Sequence, residues 1–165
     1  MKRLLYCFFF FMTYYGNAQN SLEQLLDAYN EGKIPYMFVD KFSKLQTKSV
    51  VLDAREKEEY EVSHIKNAIH IGYDYFKMKT FKKLGIPKDS CIVVYCSLGI
   101  RSEDISEKLK KAGYTNVYNL YGGIFEWKNN NYPVVDTIGK TTEKVHAFSK
   151  EWGKWLLKGE KIYSH

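Results

Sequence analysis

The chain has 165 residues, which suits one domain with an extension or two. Its 25 Lys and Arg against 19 Asp and Glu give a formal charge of +6. The positive residues are scattered, Lys77, Lys79, Lys82 and Lys83 being the densest group. That reads as a solvated face and excludes a nucleic-acid-binding stripe.

Lys2 and Arg3 precede an apolar stretch from Leu4 to Tyr15 that only Thr13 interrupts, and Gly16-Asn17-Ala18 follows. This is the order of a secretory signal peptide (residues 1–18), cut after Ala18. The stretch is short of the roughly 20 residues a spanning helix needs, so no stable membrane insertion is expected after cleavage. The expected location is outside the cytoplasm, in a bacterial periplasm.

Ser21-Leu22-Glu23-Gln24 has the form of a capping box. Leu22, Leu25, Leu26 and Tyr29 give the helix behind it one apolar face. Gly32 and Pro35 end this N-terminal unit, residues 19–33. Short β-branched runs then alternate with helical patterns. Runs are expected at 36–39, 50–52, 68–71, 92–95 and 116–118, and helices at 40–45, 56–62, 73–84, 102–112 and 123–128. Several runs are apolar throughout, as strands covered on both faces must be. The alternation implies an α/β fold, with a five-stranded, mostly parallel sheet and helices on both faces. Past Gly139, residues Val145, Phe148, Trp152, Trp155 and Leu156 recur at helical spacing. They predict an amphipathic helical extension over 137–165. It packs on the domain, or its two tryptophans offer a docking surface to a protein partner. No internal repeat or low-complexity segment interrupts the chain.

After signal cleavage two cysteines remain, Cys91 and Cys96. Five positions apart along one strand, their Cα atoms would lie roughly 16 Å from each other. A disulfide needs less than about 7 Å, so two free thiols are expected. Cys91 suits a buried structural cysteine. Cys96 closes an apolar strand and opens the stretch Cys96-Ser97-Leu98-Gly99-Ile100-Arg101-Ser102. In open α/β sheets that edge is where ligands bind. Loop N–H groups and a helix N-terminus around the sulfur would favour the thiolate. Gly99 permits the tight curvature this needs, and Arg101 offers fixed cationic donors to an anionic substrate group.

Four stretches resemble one family. Asp53-Ala54-Arg55 with Glu59-Tyr60 matches a D-x-R-x-x-x-E-[FY] segment, and His64 to Ile71 matches a G-H-I-x-G-A-x-x-I segment, with Ser63 and Asn67 in place of its two glycines. The loop matches C-x-x-G-x-R-S, and Gly122-Gly123 through Trp127 to Pro133-Val134 matches the closing G-G-x-x-x-W…P-[VI]. In this order, across residues 34–136, they resemble a single rhodanese domain of the sulfurtransferase superfamily. The resemblance implies a sulfurtransferase with catalytic Cys96. The thiolate would take sulfur from a small donor such as thiosulfate, polysulfide or another persulfide. A Cys96 persulfide would then pass it to a thiol or cyanide-like acceptor, with Ser97 to Ser102 forming the substrate loop.

Asp53, Arg55, Glu59 and His64 are read as supporting residues. Arg55 is expected to pair with Glu59 one helical turn on, and Asp53 to order backbone near the loop. The histidines lack metal-ligand spacing, so neither metal nor cofactor is expected. Two alternatives stay open. One is a rhodanese-like sulfur carrier or binding module without turnover. The other is a phosphatase or arsenate reductase on the same fold. The phosphatases of this fold place five residues between Cys and Arg, whereas four separate Cys96 from Arg101.

Overall fold

The computed structural model describes residues 21–163, so the expected signal peptide lies outside the described residues. Helix α1, Leu22–Tyr29, begins with the expected capping box. The Ser21 hydroxyl accepts from the Gln24 N–H, and the Gln24 side chain accepts from the Ser21 N–H. Strand β1, Tyr36–Met37, and helix α2, Val39–Leu45, follow. Next come β2, Val50–Asp53, α3, Lys57–Val62, and β3, Ile69–His70. Helix α4, Met78–Phe81, precedes β4, Ile92–Tyr95, and α5, Arg101–Lys111. Strand β5, Val117–Leu120, and α6, Gly123–Asn129, complete the alternation.

The sheet has five strands in the order β1-β5-β4-β2-β3, and every pairing is parallel. Side chains alternate across a strand, so each strand feeds two cores. Val51, Val93 and Tyr95 join Phe42 of α2 and Phe125 and Trp127 of α6 on one face. Leu52, Ile92 and Val94 join Phe81 of α4 and Ile105 and Leu109 of α5 on the other. Cover on both faces is why these strands carry no polar alternation.

Two expectations need correction. The helix expected at 73–84 is reduced to α4 and a following 3-10 turn, Lys82–Leu84. The Glu56 carboxylate accepts the N–H groups of Tyr73 and Asp74, which holds that segment as an irregular turn. The C-terminal extension is not an amphipathic helix. Strand β6, Val134–Val135, pairs antiparallel with β7, Thr141–Thr142. Strand β8, Lys144–His146, pairs in parallel with β9, Glu160–Ile162. Between these two lies a 3-10 turn, Trp152–Trp155. Gly139 and Gly159 turn the chain with positive φ, and Phe148 also has φ of +64°, which no α-helix accommodates. The apolar residues of the tail are spaced as in a helix, yet Val145, Ala147 and Leu156 reach the core from strand and turn. Strand β8 packs against α3, which brings the segment after it to the carboxyl edge of the sheet. Among the described residues no helix is long and apolar enough to cross a membrane.

Candidate functional site

Cys96 follows the last residue of β4, and α5 starts at Arg101, so the thiol sits at the carboxyl edge of the sheet as its position implies. It is 2% exposed. Its Sγ accepts the Gly99 N–H at 3.1 Å and lies 3.5 Å from the Ser102 hydroxyl. That hydroxyl also lies 2.7 Å from Asn119 Oδ1, and its single proton serves one acceptor at a time. Burial, the largest single influence, favours the neutral thiol. The Arg101 charge, the Ser102 hydroxyl and the loop N–H groups of Ser102 and Gly99 outweigh it, so the Cys96 pKa lies below that of an ordinary cysteine.

The loop is held in shape from outside. Gly99 has φ of +109°, and a Cβ there would lie 3.3 Å from the Leu120 carbonyl. Its own carbonyl accepts from Asn119 Nδ2 at 2.8 Å and from Asn30 Nδ2 at 3.0 Å. In a planar trans peptide the partner N–H, that of Ile100, points the opposite way. The Cys96 and Ser97 carbonyls accept the N–H groups of Ile124 and Phe125 at the start of α6. A Cβ on Gly123 would meet the Cys96 carbonyl oxygen at 2.3 Å, so the Gly122-Gly123 pair is what lets α6 approach this closely. The closing Trp–Pro pair is structural too, since Trp127 Nε1 donates to the Pro133 carbonyl at 2.9 Å.

Arg101 is already paired with a carboxylate. Its two terminal nitrogens bind both oxygens of Glu59, at 2.7 and 2.8 Å, and one of them also reaches Ser97 Oγ at 3.1 Å. The Ser97 hydroxyl donates to Glu59 at 2.9 Å. Burial favours the protonated acid, but hydrogen bonding and charge from Arg101 and the charge of Arg55 hold the Glu59 pKa down at about 2. The expected Arg55–Glu59 pair is therefore replaced by Arg101–Glu59. Arg55 lies before the first turn of α3 and binds Asp53 instead, at 2.7 Å, and the Ser63 carbonyl at 2.6 Å. Both Asp53 and Arg55 are fully buried, and Tyr95 donates its hydroxyl to Asp53 at 2.5 Å. This cluster underpins the end of β4 and presents nothing to a ligand. His64 stacks on Tyr60, with its Nδ1 3.2 Å from the Tyr60 carbonyl, and its backbone pairs with Val135. It is a hydrogen-bonded scaffold residue. Cys91, at the opposite end of β4, lies 3.5 Å from the Ser49 hydroxyl, and both cysteines are free thiols.

Beside the sulfur lies a cavity of about 150 Å³, lined by Cys96 to Leu98, Ile100, Arg101, Phe148 and Trp152. Sequence reasoning missed the contribution of Phe148 and Trp152 because it assigned them to a helix. It also missed Asn30 and Asn119. A polar residue inside the apolar run of β5 was the available signal, since a buried amide must find partners. Among the described residues no cluster of His, Cys, Asp or Glu could hold a metal ion. The arrangement offers a buried, ionisable nucleophile held by the N–H groups of Gly99 and Ser102, with an apolar chamber beside it.

The rhodanese-like domain family model matches residues 38–130. A tRNA uridine(34) hydroxylase from Aster yellows witches'-broom phytoplasma is 37% identical over 112 residues, covering 65% of this chain and 36% of that protein. Another, from Erwinia tasmaniensis, is 42% identical over 82 residues, covering 48% and 23%. The chain thus spans about a third or less of the length of these curated relatives. Among solved structures, a rhodanese-related protein from Thermoplasma volcanium superposes with a TM-score of 0.54 at 29% identity, covering 61% of this chain and 97% of that one. A thiosulfate sulfurtransferase from Pseudomonas aeruginosa shares the fold at a TM-score of 0.59 and 23% identity, covering 80% and 25%. The family model covers more than half of the chain and the all-parallel sheet is shared with these structures, so the chain belongs to the rhodanese-like domain family.

Proposed function

We propose that this protein is a sulfurtransferase that carries sulfane sulfur on Cys96. One observation carries the reading. The Cys96 sulfur is buried yet ionisable, bonded to the Gly99 N–H at 3.1 Å within a loop whose carbonyls are tied outward. In the first half-reaction the thiolate attacks the outer sulfur of a donor. A new S–S bond forms on Cys96 as the donor's S–S bond breaks, and the electron pair leaves with the donor remnant. In the second, a thiolate or cyanide attacks the outer persulfide sulfur and releases the Cys96 thiolate. A preformed thiolate needs no general base, in keeping with the structural engagement of His64, Asp53 and Arg55. Four residues between Cys96 and Arg101 favour this over phosphoryl chemistry, whose loop in this fold is one residue longer. From the hydroxylase relatives only the shared rhodanese domain is carried over, because the match covers 36% and 23% of them.

The test is the intact mass of the protein after incubation with a sulfane-sulfur donor. An adduct of about 32 Da, one sulfur atom, is expected, and Cys96→Ser abolishes it. No adduct with thiosulfate, polysulfide or thiosulfonate would end this reading. Steady-state turnover with cyanide separates an enzyme from a carrier that loads but does not cycle.

A further inference from the structure

The geometry points to a donor class for this site. We infer that it takes sulfane-sulfur donors whose group beyond the transferred sulfur is apolar and bears no second charge. Phe148 and Trp152 of the C-terminal segment grip that group. The inference rests on the sulfur-transfer reading above.

Three observations carry it. First, Arg101 is the cation among the residues lining the cavity, and it is already matched. Glu59 holds its two terminal nitrogens, and the Phe148 ring covers it with 4.9 Å from guanidinium carbon to ring centroid. Glu59 already balances the Arg101 charge, so the site holds no surplus positive charge to offset a dianion such as thiosulfate beside the Cys96 thiolate. Second, the walls away from the sulfur are the apolar side chains of Leu98, Ile100, Phe148 and Trp152. Phe148 and Trp152 lie past residue 130, outside the span the family model matches.

Third, Phe148 occupies its place at a backbone cost. Its φ is +64°, and the Ser149 N–H donates to the Ala147 carbonyl at 2.8 Å, so Phe148 is the central residue of a left-handed three-residue turn. That turn is rare and strained for a side chain with a Cβ. The Phe148 N–H donates to His146 Nδ1 at 3.2 Å, which fixes the turn to β8. Trp152 is set by its N–H to Ser149 Oγ at 3.3 Å and by an edge contact with Tyr29 of α1, centroids 5.7 Å apart. A glycine at 148 would fold without strain. The aromatic residue there lines the cavity and is 48% exposed, which leaves apolar surface for an incoming group to cover.

A thiosulfonate, R–SO₂–S⁻, has the required form. The Cys96 thiolate attacks its terminal sulfur, the new S–S bond forms on Cys96, and the bond to the sulfonyl sulfur breaks. The electron pair leaves with the sulfinate R–SO₂⁻. Two negative charges enter and two leave, and no outside oxidant or reductant takes part.

The experiment compares thiosulfate, methanethiosulfonate and benzenethiosulfonate as donors with cyanide as acceptor. Each kcat/KM is divided by that donor's uncatalysed rate with cyanide. Benzenethiosulfonate should exceed methanethiosulfonate by about tenfold or more, the scale on which an apolar pocket discriminates. Methanethiosulfonate should in turn exceed thiosulfate. Phe148→Ala and Phe148→Gly should both reduce the benzene-to-methane ratio severalfold, and the glycine variant relieves the strained backbone, so misfolding does not explain the loss. Thiosulfate equal to or better than benzenethiosulfonate, or a ratio unchanged in both variants, would overturn the inference while a Cys96 persulfide mass leaves sulfur transfer standing. If no donor adds sulfur to Cys96, the sulfur-transfer reading itself fails and takes this one with it.

Discussion

Glu59 makes the sharpest demand on the account, because it ties the stability of the fold to the cation beside the thiol. Its carboxyl titrates near 2, against 4.5 for an ordinary glutamate. A depressed carboxyl contributes stability in full above its unfolded pKa and loses it as pH falls through its folded one. With about 1.4 kcal/mol for each pKa unit, ionised Glu59 contributes about 3 kcal/mol at neutral pH, and this disappears between about pH 4.5 and pH 2. Glu59→Gln keeps the shape and removes the titration. Urea unfolding of wild type and variant from pH 7 to pH 2 measures the difference directly. The gap between them should narrow by about 3 kcal/mol as the pH falls. The same variant frees the Arg101 guanidinium, so thiosulfate should gain on benzenethiosulfonate as donor. A stability gap independent of pH would refute the assignment of Glu59 as the ionised partner of Arg101.

Other perturbations test other parts. Asp53→Ala leaves the fully buried Arg55 uncompensated and should destabilise the protein by about 3–5 kcal/mol, read as a lower urea midpoint. Arg101→Ala removes the largest influence favouring the Cys96 thiolate, so the pH profile of iodoacetamide alkylation should move to higher pH. Gly123→Ala costs about 1–2 kcal/mol from the left-handed backbone alone. It also drives a methyl group into the Cys96 carbonyl, so sulfur loading should fall further than stability does. In a secreting bacterial host, N-terminal sequencing of the exported protein should begin at Gln19. An intact N-terminus would remove the signal-peptide expectation.

What was legible in the sequence had local causes. Strand β4 is apolar throughout, and β2 is apolar up to its closing Asp53, because helices cover both faces, and the capping box at Ser21 closes on itself within four residues. The spacing from Cys96 through Gly99 to Arg101 is read within a single loop. What stayed hidden depends on residues far apart in the chain. Arg101 and Glu59 are 42 positions apart, and the nearer Arg55 was the obvious partner until α3 proved to start at Lys57. The tail matched a helical period only because strand and turn bring Val145, Ala147 and Leu156 to the same core. The pairing of Lys144–His146 with Glu160–Ile162 that produces this is a contact between segments, which periodicity does not register. The consequence is functional, since Phe148 and Trp152 reach the cavity only through that pairing.

The central claim is that Cys96, and no other group, holds sulfur between two half-reactions. A single-turnover experiment tests it most directly. The protein is loaded with a thiosulfonate, freed of donor on a desalting column, and given cyanide. Loaded wild type should release about one thiocyanate per chain, the stoichiometry of a single covalent intermediate, and Cys96→Ser none. Thiocyanate released equally by Cys96→Ser, or none from loaded wild type, would contradict it.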